Sequence, residues 1–270
     1  MRCTADQAMP DLYYDVNFAA SYDQEHPGLE GDLEFYMALA QEAAATGQEV
    51  LELAAGTGRI TVPIARAGVR IVGLERAPAM LAIARERGAG LESLSWVEAD
   101  MTEFALGRLF GLVMIPYRSF LHLMTVEAQK ACLERVREHL LPGGRLALNF
   151  FNPDLSIIGE WVGGRSGGLE RLPATRHPKS GRRVEQWQSN RYEPSEQRLE
   201  HTRVSEELSD EGVVVSRVYS EMPMRYVFRY EFEHLLALTG FEVEALYGGF
   251  EGQAFGPSST ELVWLAKVRA

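Results

Sequence analysis

The chain is poor in the features that mark secreted and membrane proteins. Its 270 residues include only two cysteines, Cys3 and Cys132, too few and too far apart for a disulfide framework or a thiolate metal site. No apolar run approaches the ~18 residues of a membrane span, and the segment MRCTADQAMPDLYYD at the start lacks the apolar core of a signal peptide. We therefore expect a cytoplasmic protein with no bound metal and no membrane contact.

Basic residues are also scarce. The chain has 27 Lys and Arg against 38 Asp and Glu, which gives a formal net charge of -11 at pH 7. Because nucleic-acid binding depends on clustered Lys and Arg, this balance argues against a nucleic-acid partner and favours a small molecule. A homodimer is compatible with the sequence. With 46% hydrophobic residues, the chain can bury the core of one α/β domain with an elaboration.

The segment VLELAAGTGRITVPIARAGVRIVGLERAPAML, residues 50–81, is the most informative part of the chain. It combines an apolar strand, a glycine turn, a helix and a second strand that ends in an acid. Gly56 and Gly58 let the backbone turn tightly and approach a ligand. Glu75 follows Gly56 by 19 positions, close to the ~20 expected for a carboxylate that accepts hydrogen bonds from ribose hydroxyls. The layout is typical of a nucleoside-binding α/β unit.

The chain divides into four predicted segments. Residues 1–47 form an N-terminal cap, and residues 48–152 alternate strand and helix, which predicts a Rossmann-like cofactor-binding core. Residues 153–230 are polar and β-branched and predict three antiparallel strands that cover the substrate site. Residues 231–270 predict a helix and two strands that complete the core sheet. The expected fold is α/β, a doubly wound, mostly parallel seven-stranded Rossmann-like sheet with an inserted antiparallel β-sheet subdomain.

The same patterns give approximate bounds for the elements. The predicted helices are 32–45, 59–67, 79–87, 126–140 and 231–239. The predicted strands are 49–53, 70–75, 94–98, 109–115, 144–151, 182–193, 198–208, 213–228, 242–247 and 261–268.

A glycine turn after a strand also occurs in NAD-dependent dehydrogenases, and two residues argue against that alternative. The sixth position of the turn is Thr61, where the dinucleotide fingerprint requires Gly or Ala. Glu52 stands near the end of the first strand, where an acid would repel a pyrophosphate and would accommodate an ammonium group.

Two further motifs agree with this distinction. The third strand ends in Glu98-Ala99-Asp100-Met101, and Leu141-Pro142-Gly143-Gly144 turns into the fifth strand. Together with the glycine turn, these residues resemble the class I S-adenosylmethionine-dependent methyltransferases, from about residue 50 to residue 149. The resemblance implies S-adenosylmethionine as cofactor and S-adenosylhomocysteine as product.

The resemblance also implies most of the cofactor contacts. It implies that the methionine part lies on the glycine turn, the ribose on Glu75 and the adenine beside Met80 and Asp100. Ala54 departs from the glycine that the family often has at this position. The expected contacts are Tyr22, Glu52, Ala54, Gly56, Gly58, Glu75, Arg76, Met80, Asp100, Met101 and Pro116.

The loop at residues 115–123 should face the reacting methyl group, because ligands of open α/β sheets lie outside the carboxyl ends of the strands. A sulfonium methyl is already activated, so the protein mainly has to align the acceptor and exclude water. An ammonium or hydroxyl acceptor also needs a base. We expect His122 in this role and Tyr14 as a second catalytic candidate. A hydrogen-bonded structural histidine is the alternative for His122.

Short aromatic and glycine motifs at residues 225–231 and 247–250 also resemble the sugar N,N-dimethyltransferases that act on nucleotide-linked amino sugars. The expected acceptor contacts are Tyr117, Arg118, Tyr226 and Glu251. The sequence therefore predicts a methyltransferase that acts on a nitrogen or oxygen of a small molecule, such as an amino sugar or amine. The alternatives are a nicotinamide-dependent oxidoreductase and a cofactor-binding protein without turnover.

Overall fold

The computed structural model describes residues 18, 19, 22, 23, 26–165, 168–177 and 180–269. The helices are α1 Asp32–Ala45, α2 Thr61–Arg66, α3 Pro78–Arg87, α4 Val126–Glu138, α5 Leu155–Glu160 and α6 Arg229–Leu238. The strands are β1 Val50–Leu53, β2 Ile71–Glu75, β3 Leu94–Glu98, β4 Phe110–Ile115, β5 Leu140–Phe151, β6 Glu170–Arg176, β7 Arg183–Glu193, β8 Arg198–Leu208, β9 Val214–Arg225, β10 Phe241–Tyr247 and β11 Glu261–Val268. None of the described helices has the length and apolarity to cross a membrane.

The strands form two sheets. The main sheet has seven strands in the order β10, β11, β5, β4, β1, β2, β3, and β11 alone runs antiparallel to its neighbours. The second sheet has four antiparallel strands in the order β6, β7, β8, β9, and it is inserted between β5 and α6. This arrangement confirms the predicted doubly wound seven-stranded sheet with an antiparallel insertion.

The main sheet forms because its central strands are apolar along their whole length. Every residue of β1, β2 and β4 is buried, as expected for parallel strands that are covered on both faces. On one face Val50 packs with residues of α1 and α2. On the other face Leu51 and Leu53 pack with residues of α4 and α6. The alternation along β1 therefore assigns each side chain to one of two cores.

The prediction of three strands in the insertion was wrong. The additional strand β6, which contains Pro173, lies between residues 168 and 182, where no strand was predicted. Because β6 is an edge strand with a register shift between Leu172 and Thr175, the missing N–H of the proline is tolerated. The insertion also begins with the short helix α5 and a π-helical turn at Trp161–Arg165, where no helix was predicted.

Candidate functional site

A cleft lies at the carboxyl ends of β1, β2 and β3. It brings together residues that the sequence predicted to contact the cofactor, to contact the acceptor or to act in catalysis. These are Tyr22, Ala54, Gly56, Glu75, Arg76, Met80, Asp100, Met101, Tyr117 and His122. Their clustering follows from the parallel topology, since strand ends that are distant in sequence meet at one edge of the sheet.

The Glu75 side chain links the glycine turn to the end of β2 by hydrogen bonds. Its Oε2 accepts a hydrogen bond from the Gly56 N–H at 2.8 Å, and its Oε1 accepts one from the Ala77 N–H at 2.9 Å. Burial raises the pKa of this carboxyl, while the backbone N–H groups of Ala77, Gly56 and Arg76 favour its charged form. A Cβ added to Gly56 would meet no atom within 4 Å, so the space above the turn is open to a ligand.

Backbone strain is concentrated around this cleft. Among the described residues other than glycine, Ala54, Tyr117, Arg118 and Gln197 have positive φ, and the first three line the cleft or the cavity beside it. Ala54 has φ 54°, where a residue with a Cβ costs roughly 1–2 kcal/mol and glycine does not. The departure from the glycine of similar proteins therefore has a conformational cost. Strain of this kind is typical of functional sites.

Glu52, Gly58 and Pro116 are buried and do not line the cleft. The Glu52 carboxyl is 3% exposed and accepts a hydrogen bond from Thr61 Oγ1 at 2.5 Å. Burial raises the pKa of Glu52 to about 8, which leaves it largely uncharged at neutral pH. Gly58 instead serves packing, because a Cβ there would lie 3.0 Å from Trp96. We therefore assign no direct cofactor contact to these three residues.

A larger cavity of about 810 Å³ adjoins the cleft. Tyr22, Tyr117 and His122 line both, so they form the boundary between the two spaces. The cavity lies between the loop after β4, helix α5 and the antiparallel sheet, and its volume is in the range of small-molecule sites.

One face of the antiparallel sheet forms a wall of the cavity, and its register orders the polarity of that wall. Arg203 pairs with Gln188, His201 pairs with Asn190, and Leu199 lies in the next row towards the apolar end. The wall therefore changes from cationic to amide-bearing to apolar along the strands. Sequence reasoning missed these residues, although the alternation of Leu199, His201 and Arg203 places them on one face of a strand.

Arg203 dominates the charge of this wall. Burial, followed by the nearby Arg203 guanidinium, lowers the pKa of His26 and of His201 to about 4, so both rings are neutral at pH 7. His26 Nε2 is buried and has no hydrogen-bond partner among the described residues. Of the described lining residues, Asp154 alone carries a carboxylate, and it caps α5. Two arginines, Arg118 and Arg203, and one carboxylate thus line the cavity of an acidic chain.

His122 has a defined tautomer at the boundary. It ends the 3-10 turn Ser119–His122, and its Nδ1 lies 3.1 Å from the carbonyl oxygen of Pro223. Because a carbonyl oxygen only accepts, Nδ1 carries the proton of the neutral ring and Nε2 holds the lone pair. This is the protonation pattern that a base requires.

The remaining predicted acceptor residues are placed differently. Arg118 lines the cavity and pairs with Glu261 of β11. Tyr226 is 2% exposed in an apolar cluster, and Glu251 is exposed; neither lines the cleft or the cavity. Tyr14 lies outside the described residues. We therefore assign no acceptor contact to Tyr226 or Glu251.

Comparison with known proteins finds one family whose model matches part of the chain. The family model described as "Methyltransferase domain" matches residues 50–144, from β1 to the start of β5. This match favours methyl transfer over the nicotinamide-dependent alternative.

Two relatives act on amino sugars according to their names. The chain is 29% identical to the dTDP-3-amino-3,4,6-trideoxy-alpha-D-glucopyranose N,N-dimethyltransferase of Streptomyces venezuelae, over 89% of this chain and 96% of that protein. It is 33% identical to the dTDP-3-amino-3,6-dideoxy-alpha-D-glucopyranose N,N-dimethyltransferase of Streptomyces fradiae, over 51% of this chain and 54% of that protein, about half of the relative's length.

A solved structure shares the whole fold. The CcbJ methyltransferase of Streptomyces caelestis superimposes with a TM-score of 0.77 at 24% identity, and the match covers 96% of this chain and 98% of that one.

Proposed function

We propose that this chain, an S-adenosylmethionine-dependent methyltransferase, methylates the amino nitrogen of an amino sugar with His122 as the general base. The observation that carries the proposal is the boundary shared by the cleft and the cavity. Tyr22, Tyr117 and His122 line both spaces. A methyl donor in the cleft and an amine in the cavity would therefore meet beside His122.

The residues of the cleft fit the cofactor. A carboxylate has about four lone pairs, and three backbone N–H groups face that of Glu75, so it can still accept a hydrogen bond from a ribose hydroxyl. Met80 and Leu74 supply apolar surface for an adenine ring, and the space above Gly56 is open. When bound, S-adenosylmethionine supplies a methyl group on a positively charged sulfur, which leaves as a neutral thioether.

The acceptor has to lose a proton before it can be methylated. An amine that is protonated at neutral pH has no lone pair, and Nε2 of His122 is the atom that would take the proton. The nitrogen lone pair then forms the N–C bond while the electrons of the C–S bond stay with sulfur. Alignment and exclusion of water supply the rest of the acceleration.

The polarity of the cavity favours an acceptor that carries an anionic group away from its amine. Arg203 is placed for a phosphate or diphosphate, and the amide side chains of Gln188 and Asn190 suit sugar hydroxyls. The two relatives are named for dTDP-linked amino sugars. A nucleotide-linked amino sugar is therefore the acceptor we propose.

An acceptor panel tests the proposed substrate class. The protein is incubated with methyl-labelled S-adenosylmethionine and a dTDP-linked 3-amino sugar, the free amino sugar, a simple alkylamine or a hydroxy acid. We expect transfer to the dTDP-linked amino sugar with the highest kcat/KM. Preferred transfer to the hydroxy acid would overturn nitrogen as the acceptor atom. Binding of S-adenosylhomocysteine without transfer to any acceptor would favour a cofactor-binding protein without turnover.

The role of His122 is tested by His122→Ala. Loss of a general base lowers turnover by roughly 10²–10⁴-fold, and we expect the Kd of S-adenosylhomocysteine to change less than about threefold. The control is His234→Ala, because His234 is exposed on α6 and lines neither space. An equal loss of cofactor affinity in His122→Ala would contradict a role as base.

The role of Arg203 is tested by comparing two acceptors. Arg203→Gln should raise the KM for the dTDP-linked sugar by at least about tenfold and leave the KM for the free amino sugar within about threefold, as expected when one charged contact is lost. Arg217→Gln is the matched control, since Arg217 pairs with Glu206 on β8 and does not line the cavity. Equal effects on both acceptors would remove Arg203 from anion recognition.

A further inference from the structure

The chain leaves β4 through two consecutive left-handed residues. Tyr117 has φ 55° and Arg118 has φ 65°, a conformation that residues with a Cβ rarely adopt. The turn leads directly into Ser119–His122 and sets where the Tyr117 ring and the His122 ring lie. Other groups must hold this turn, because its own sequence does not favour it.

Asn149 of β5 holds both left-handed residues. Its side-chain Oδ1 accepts the Tyr117 N–H at 3.0 Å, and its backbone oxygen accepts the Arg118 N–H at 3.2 Å. Oδ1 also accepts the Tyr36 hydroxyl at 2.8 Å. Burial raises the pKa of Tyr36 well above its ordinary value, so that the hydroxyl keeps the proton it donates. Asn149 is fully buried, which removes water as a competing partner.

Glu261 of β11 determines which way the Asn149 amide faces. Its Oε2 accepts Asn149 Nδ2 at 3.0 Å, and its Oε1 accepts Arg118 Nε at 3.0 Å. Because the amide nitrogen faces the carboxylate, Oδ1 has to face Tyr117. The carboxylate is 6% exposed and is paired with the Arg118 guanidinium. One buried network thus fixes the amide, the two left-handed residues and the Arg118 side chain.

We infer that Asn149 and Glu261 are positioning residues for methyl transfer. They hold the turn that places Tyr117 and His122 between the cofactor cleft and the acceptor cavity. The inference rests on the proposed function in one respect, that the reacting nitrogen lies beside His122. A displacement of a reacting group by about 1 Å can lower turnover by ~10²-fold, so the network is expected to act on kcat.

A complementary exchange of the two side chains tests this inference. Asn149→Asp alone sets two carboxylates against each other across the 3.0 Å contact. Glu261→Gln alone sets an amide nitrogen against either the Asn149 amide nitrogen or the Arg118 guanidinium. In the double variant the new glutamine can donate to the new aspartate and accept from Arg118, while the aspartate still accepts from Tyr117 and Tyr36. Every hydrogen bond is restored, and only the bond between residues 149 and 261 has its donor and acceptor exchanged.

We expect each single variant to lose about 10–100-fold in kcat and the double variant to recover to within about fivefold of the wild type. The Kd of S-adenosylhomocysteine should stay within about threefold in all three variants. Tyr36→Phe removes one donor without a new charge and should give a smaller loss in kcat. Thr239→Val is the control, since Thr239 is buried at the end of α6 and its hydroxyl bonds only to backbone carbonyls among the described partners. It should lower Tm and leave kcat unchanged.

Hydrogen exchange of the Tyr117 and Arg118 amides measures how firmly the turn is held, and it needs no acceptor substrate. Both amides should be protected in the wild type and the double variant and should exchange faster in the single variants. Single variants that keep kcat within threefold, or a double variant with restored protection and no restored kcat, would overturn the inference. If the wild type methylates no amine while the exchange pattern holds, the proposed function fails and the network stands only as a structural support.

Discussion

Replacing Glu52 by glutamine should remove a loss of stability that the wild type shows as pH rises. Glu52 lies in β1 between Gly73 of β2 and Met114 of β4, and its side chain is 3% exposed. Burial raises the pKa of Glu52 from 4.5 to about 8. The folded protein therefore holds a proton that the unfolded chain releases between these values. The stability linked to this group is complete below pH 4.5 and is lost as pH rises through 8.

The size of the effect follows from the two pKa values. With 4.5 in the unfolded chain and about 8 in the folded protein, the free energy of unfolding falls by ~4 kcal/mol between pH 5 and pH 9 from this group alone. A glutamine does not titrate, and its side-chain oxygen can still accept the hydrogen bond from Thr61. Any cost of an unpaired amide N–H in the variant is independent of pH, so the comparison across pH isolates the titration of Glu52.

Urea unfolding of the wild type and Glu52→Gln at pH 5, 7 and 9 measures this difference. The variant should gain ~4 kcal/mol relative to the wild type between pH 5 and 9. Glu49→Gln is the matched control, because Glu49 precedes the same strand but is partly exposed and pairs with Arg70 and Arg108. A constant difference between Glu52→Gln and the wild type would show that Glu52 is ionised in the fold.

The same variant decides whether Glu52 binds the cofactor. Because Glu52 does not line the cleft, Glu52→Gln should leave the Kd of S-adenosylhomocysteine within about threefold of the wild type. A loss of tenfold or more in calorimetry would restore the expectation, drawn from the sequence, that this acid accommodates an ammonium group.

Two further predictions concern packing and acid stability. Gly58→Ala should lower the free energy of unfolding by about 1–3 kcal/mol more than Gly68→Ala, because both glycines have positive φ but only at Gly58 does a Cβ meet Trp96, at 3.0 Å. Equal losses in urea would contradict this packing role. His26→Gln should reduce acid sensitivity, since the pKa of His26 falls from 6.5 to about 4 on folding, and its contribution is complete above pH 6.5 and lost as pH falls towards 4. The free energy of unfolding of the variant should rise by ~2 kcal/mol relative to the wild type between pH 8 and 5. The pH dependence that Glu52 causes has the opposite sign, but it is the same in both proteins and cancels in this comparison. A gain near zero would show that His26 is charged in the fold.

The main sheet could be predicted because its signals are local. The predicted bounds of β3, β11 and α1 agree with the structure, since each has a clear apolar pattern and a turn or glycine at its end. β6 was not predicted, and it contains a proline, a residue that argues against a strand in a sequence. What makes that proline acceptable, a bulge on an unpaired edge, depends on the neighbouring strand.

The candidate site also contains residues that could be predicted from the sequence and residues that could not. Glu75, Asp100 and Met80 lie at or just after strand ends, so their position in the cleft follows from parallel topology. His201 and Arg203 alternate along one strand, but which face is covered depends on how the second sheet packs over the first. The burial of Glu52 likewise depends on contacts from outside its own segment, such as Thr61. Motifs therefore predicted residues that line the cleft, while most residues of the cavity wall required the tertiary structure.

The position of the antiparallel sheet has a consequence for how such a protein can change. Alternate residues of β7 and β8 line the cavity, and none of the described residues of either strand lines the cleft. Substitutions at alternate positions of these strands, such as Gln188, Asn190 and His201, alter what the wall presents while the backbone pairing stays intact. A change of one inward-facing side chain thus alters the cavity, while the cleft that we propose for the methyl donor keeps its lining.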